Sequence, residues 1–138
     1  MSPFPSLRNA TMQEIQLELI RRRRFNTYDG EVIHDLLMRY RSYWLAVLID
    51  RPGVPNYNQP GRLLVSGLIK LRDLPDDIWN VDTLFVWTHT PTQAVELAKA
   101  FAESDTGAMP RVIEDRDEIG MALGSFWDEG GLLRVWWD

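Results

Sequence analysis

With two histidines, twenty acidic residues and no cysteine, the chain has a narrow chemical repertoire. The missing thiol removes cysteine nucleophiles, thiolate metal sites, disulfides and redox switching together. Proton transfer at neutral pH therefore falls to His34 or His89. His89 lies in the run Thr88-His89-Thr90, and Glu114, Asp115 and Asp117 follow later in the chain. An imidazole among carboxylates suits general acid–base chemistry or a divalent ion, with His89 as acid and base and Asp115 and Asp117 as orienting or metal-binding groups. Those same residues have a plainer explanation. Thr90 and Asp115 are good helix N-caps, Asp117 and Glu118 suit a first helical turn, and His89 then needs no role beyond its loop. His34, beside Asp35 in an amphipathic stretch, reads as a partly buried structural residue. Neither Ser66 nor Ser125 sits in a nucleophile elbow, and the phosphate-loop, dinucleotide, HExxH and EF-hand patterns are missing. No cofactor, cofactor-binding residue or metal site is expected.

Four consecutive arginines, Arg21, Arg22, Arg23 and Arg24, are the second candidate. Contact with phosphate or nucleic acid is the sharpest use of such a run. Successive helical residues splay around nearly the whole circumference, however, and nearby stacking aromatics are limited to Phe25 and Tyr28. The expected setting is a solvated helix C-terminus, its cations complementing the dipole or bridging to acids of the C-terminal portion, with protein contact as the next option. Of the six tryptophans, Trp44, Trp79 and Trp87 stand in apolar periodic contexts and read as core, whereas Trp127, Trp136 and Trp137 cluster near the end. Neighbouring strand residues point to opposite faces, so Trp136 and Trp137 cannot share one layer. An exposed one would be an interface anchor.

These candidates need elements to position them. Thr11 with Glu14 makes a capping box for a first helix that places Met12, Ile15 and Leu19 on one face. After a turn at Asn26 to Gly30, Asp29 caps a second helix whose apolar positions Val32, Ile33, Leu36, Leu37, Tyr40 and Trp44 keep helical spacing through about Ile49. Arg51 to Gly61, rich in proline, glycine and asparagine, is a loop. Leu63 to Leu71 fits a helix or a strand, and Pro75-Asp76-Asp77 opens a short helix. Leu84 to Trp87 reads as a strand, a helix starts at Thr90-Pro91, and a short strand follows at Arg111 to Glu114. A helix from about Asp115 to Leu123 and a strand at Leu132 to Trp137 complete the chain. The expected fold is α/β: an N-terminal helical pair followed by a small, mostly parallel β-α-β-α-β sheet unit. It forms a single domain over 1–138, in which residues 1–50 are helical, 51–61 are a loop and 62–138 make the α/β unit. Right-handed crossovers would bring His89, Asp115 and Asp117, with Asp138, to the carboxyl ends of parallel strands, where open sheets bind ligands.

Charge is unevenly distributed along the chain, whose formal net charge is −5. Residues 1–60 hold eight arginines against six acids, while residues 61–138 hold seven basic residues against fourteen acids. An acidic C-terminal portion repels phosphate backbones and disfavours general nucleic-acid binding. No signal peptide or spanning segment is evident, so a cytoplasmic location without membrane attachment is expected. The favoured function is a non-enzymatic protein-interaction or accessory module, self-associating or bound to a protein partner through Arg21 to Arg24, Trp127, Trp136 and Trp137. Two alternatives stand beside it. One is a small-ligand-binding protein or hydrolase-like enzyme at His89, Asp115 and Asp117; the other is anion or nucleic-acid contact through the arginine run.

Overall fold

The computed structural model describes residues 6–25, 27–50, 73–79, 81–124 and 130–137. Thr11 opens helix α1 (Met12–Arg22) by a capping box: its hydroxyl accepts from the Glu14 N–H, and the Glu14 carboxylate accepts from the Thr11 N–H. A short antiparallel ladder of β1 (Arg24–Phe25) and β2 (Tyr28–Asp29) turns the chain, and Asp29 caps α2 (Gly30–Arg39). Residue 30 must be small. A Cβ there would meet the carbonyl oxygen of Arg21 and, at 2.5 Å, that of Ile20, because α2 starts directly against the last carbonyls of α1.

Helical spacing misleads beyond this point. The second helix ends at Arg39 instead of continuing through Ile49; a 3₁₀ turn (Arg41–Tyr43) follows, and Trp44–Asp50 is strand β3. Trp44 fits a 3.6-residue period, yet the buried set Trp44, Val47 and Ile49 belongs to a strand with a bulge between Trp44 and Ala46. The later elements are a 3₁₀ turn (Leu74–Asp76), β4 (Thr83–Thr88), α3 (Pro91–Ala102), β5 (Met109–Ile113), α4 (Arg116–Leu123) and β6 (Gly131–Trp136). Residues 51–72, 125–129 and 138 lie outside the described residues, and with them the expected loop 51–61, the Leu63–Leu71 segment, Trp127 and Asp138.

The larger sheet has the order β3-β4-β6-β5, and every neighbouring pair is antiparallel. The expectation of a mostly parallel sheet is overturned, although mixed α/β content holds. β4 and β5 do run in the same direction, each being antiparallel to β6, but β6 lies between them. The eight residues of α4 span about 12 Å. After α4 the chain re-enters the sheet at the end where β5 stopped, with Gly131 opposite Thr88 and Leu132 opposite Ile113. Gly131 fits this entry because a Cβ would stand 2.7 Å from the Thr88 hydroxyl and 2.9 Å from the Ala94 Cβ of α3.

One face of the sheet carries Val47, Ile49, Leu84, Val86, Val112, Leu133 and Val135, which share a core with Ile20, Ile33 and Leu37 of α1 and α2 and Leu97 and Phe101 of α3. Trp137, just past β6, closes this core with its ring edge-on to Tyr28 at 4.7 Å and its indole N–H donating to Thr106. The outer edge of β3 is sealed by α1. The Gln13 amide donates to the Val47 carbonyl and accepts from the Val47 N–H, both at 2.9 Å, as a neighbouring strand would, and Gln16 accepts from the Ile49 N–H at 3.3 Å. The opposite edge strand, β5, contains Pro110, which has no N–H to offer.

Replacing Gln13 by Ala strips both Val47 groups of their partner and is expected to cost about 1–2 kcal/mol, read as a lower urea midpoint at unchanged slope. Gln13→Glu restores the acceptor but sets a carboxylate against the Val47 carbonyl and should not recover stability. Gly131→Ala forces α3 away from β6 and is expected to cost about 1–3 kcal/mol in the same measurement.

Candidate functional site: the open face of the sheet

His89 follows β4 and Asp115 follows β5, so both stand at one end of the sheet, with the start of β6 between them. Two strand spacings put the chain positions about 10 Å apart. The third arm of the expected convergence is missing. β6 runs the other way, and its final residue Trp136 pairs with Thr83 and Met109 at the far end of the sheet. The Asp115 carboxylate accepts the Glu118 N–H at 3.0 Å as the cap of α4, and Thr90 with Gln93 forms the capping box of α3. His89 is exposed, its backbone N–H donating to the Tyr43 carbonyl, and Asp117 is exposed in the first turn of α4. Among the described residues no group of three or more His, Asp or Glu is arranged to hold a metal ion.

The arginine run divides by side-chain environment. Arg21 and Arg22 both bind Glu18, the Arg21 Nε at 3.0 Å and the Arg22 Nε at 2.8 Å, and Arg24 reaches Asp29 at 3.2 Å and Glu31 at 3.4 Å. Arg23 turns inward instead: it is 3% exposed, with its guanidinium 4.4 Å from the centre of the Tyr28 ring. Burial lowers the Arg23 guanidinium to about 10, opposed by Tyr28 and the Asp82 carboxylate, and burial raises the Tyr28 phenol. The Tyr28 hydroxyl donates to the Ile20 carbonyl at 2.8 Å.

A cleft of about 350 Å³ lies between α1 and α2, where His34, Glu14, Glu18 and Arg41 meet apolar Leu17 and Met38. Its polar groups already have internal work. Glu14 closes the α1 cap, Glu18 holds two arginines, and Arg41 stacks 3.9 Å over Trp44 while donating to the Trp44 carbonyl.

The second face of the sheet is different. Alternation along the strands and the pairing register place Leu48, Phe85, Arg134 and Arg111 in one row across β3, β4, β6 and β5; Ala46, Trp87, Leu132 and Ile113 form the next. Helix α4 covers only some of this face, where Ile119 and Leu123 pack on Ile113 and Leu132. Beside it runs a groove of about 270 Å³ between Ala122 and Leu123 on one wall and Leu48, Phe85 and Trp87 on the other. Leu48 and Met109 are 46% exposed and Trp136 is 36% exposed. Trp136 thus stands on the open face while its neighbour Trp137 is fully buried.

Leu48, Phe85, Arg111 and Arg134 are not evident as a group in the sequence, because they come from four strands whose order it does not display. The local signal is the alternation Leu132, Arg134, Trp136, which puts a cation between two apolar side chains on one face. No protein-family model, curated protein or solved structure matches this chain.

Hydrogen bonding from Arg21, with Arg22 adding to it, holds the Glu18 carboxyl down at about 2 from an ordinary 4.5, against the opposing effect of burial. A depressed carboxyl stabilises the fold above its unfolded value and loses that contribution as acid protonates it. Stability should therefore fall between about pH 4.5 and pH 2, and Glu18→Gln should lower stability at neutral pH while flattening that stretch of the acid titration. Unfolding by urea at a series of pH values reads both effects.

Proposed function

We propose that this chain is a non-enzymatic protein-interaction module that docks its partner on the second face of the sheet. The observation that carries this reading is apolar exposure on that face among the described residues: Leu48 is exposed at the apolar groove along α4, and Met109 and Trp136 are exposed towards the other end of the strands. Exposed apolar surface beside polar residues is a mark of interaction sites. A large, rigid aromatic such as Trp136 supplies contact area at small entropic cost. The rim is polar here too, with Glu114, Asp115, Asp117 and Glu118 all exposed where β5 passes into α4. No helix among the described residues is long and apolar enough to cross a membrane.

Carbene footprinting of the dilute full chain is expected to label Leu48, Met109 and Trp136 strongly. Leu48→Lys is expected to change unfolding stability by no more than about 0.5 kcal/mol, as a surface substitution does. Shielded side chains together with a loss of several kcal/mol on Leu48→Lys would show a face used for folding and would sink the reading. Sedimentation at rising protein concentration then reads whether a second copy occupies the face.

A further inference from the structure

Arg111 and Arg134 stand directly opposite each other in the antiparallel register of β5 and β6, on the open face. Directly opposed residues have their Cβ atoms about 5 Å apart, and like charges in that relation repel. The arginines near the α1–α2 turn are treated otherwise, for Arg21, Arg22 and Arg24 each meet a carboxylate. Among the described residues no hydrogen bond or ion pair engages Arg111 or Arg134, and the Arg134 Nε is buried without a hydrogen-bond partner. Each guanidinium carries a fork of N–H donors that fits a carboxylate, and two arginines at opposed positions bring two such forks to one place on the face. The rest of the row is apolar: Phe85 is next to Arg134, and Leu48 is next to Phe85.

We propose that the Arg111–Arg134 pair is the carboxylate-binding end of this face, and that its occupant is an acidic peptide segment of a partner protein carrying an apolar side chain close to a glutamate or aspartate. This rests on the interaction reading above and adds the chemistry of the partner. The dimensions agree. Three strand spacings from Leu48 to Arg111 make about 14 Å, the length of about four extended residues. The apolar residue seats in the groove at Leu48 and Phe85, and the carboxylate bridges the two guanidiniums. A peptide with one or two carboxylates fits better than a polyphosphate chain, because Glu114, Asp115, Asp117 and Glu118 stand exposed just beyond Arg111 and repel an extended polyanion.

The test titrates the full chain with three labelled probes, read by fluorescence anisotropy: a short peptide with paired glutamates flanked by leucines, its glutamine counterpart, and a single-stranded oligothymidylate. The glutamate peptide is expected to bind at least about tenfold more tightly than the glutamine peptide, an advantage that Arg111→Gln with Arg134→Gln abolishes and rising salt reduces. Either arginine substitution alone should raise the thermal midpoint of the unliganded protein by relieving repulsion. Equal binding of the two peptides, indifference to the arginine substitutions, or no peptide binding at all overturns the proposal. Tighter binding of the oligothymidylate overturns it in favour of nucleic acid, and self-association sensitive to both arginines overturns it in favour of a second copy. The interaction reading is judged separately, by whether Leu48→Lys weakens binding of the glutamine peptide and by the footprint of the face.

Discussion

The fold depends on the pairing of β6 to both of its neighbours. β4 and β5 run side by side in direction but not in contact, and the backbone groups between them are satisfied only when the C-terminal strand enters antiparallel to each. Most of what lies on either face follows from that insertion. Leu133 and Val135 complete the buried face, Leu132 supplies the seat for α4, and Arg134 and Trp136 are carried to the open face. Gly131 admits the strand under α3, and Trp137 anchors it by packing edge-on against Tyr28 and Phe101. These are contacts between segments far apart in the chain, so the sheet is complete only when the last residues are in place.

Arginine has three distinct physical roles in this chain. Arg21, Arg22 and Arg24 bind acids a turn away or across the short hairpin, a local neutralisation in which Arg22 and Arg24 stay exposed to solvent and the Arg21–Glu18 pair is partly buried. Arg23 is buried and lies over an aromatic ring, where its charge costs desolvation free energy that Tyr28 and Asp82 offset incompletely. Arg111 and Arg134 oppose each other on an apolar surface. Four adjacent arginines are the conspicuous feature of the sequence, yet the pair set apart from them is the one with no carboxylate beside it among the described residues.

What could be read from the sequence was local. Thr11, Asp29, Thr90 and Asp115 were legible as caps, and each accepts the expected backbone N–H, because capping needs only a side chain and the next turn. Helix α3 was legible from the spacing of its apolar residues and strand β4 from its continuous apolar, β-branched and aromatic run, both local signals. The strand at Trp44 was not, since its first residue extends the 3.6-residue pattern of α2 and a bulge disturbs the alternation that would have identified it. Strand order was out of reach as well: β-α-β-α-β fits a parallel sheet built by crossovers and equally a sheet whose final strand slots in reversed. That ambiguity decided the site. With parallel strands His89, Asp115 and Asp138 converge, whereas with β6 reversed the residues brought together are Leu48, Phe85, Arg134 and Arg111.

Among the described residues, both lateral borders of the sheet are obstructed to another strand. Along β3 the glutamines of α1 already occupy the Val47 and Ile49 backbone groups, and along β5 a proline interrupts the donor row. Those two features hinder the addition of sheet to sheet, the step by which exposed strands propagate into fibrils. The apolar surface that remains is on a face of the sheet, not along an edge. Whatever meets that face does so through side chains and is not held by added ladder hydrogen bonds.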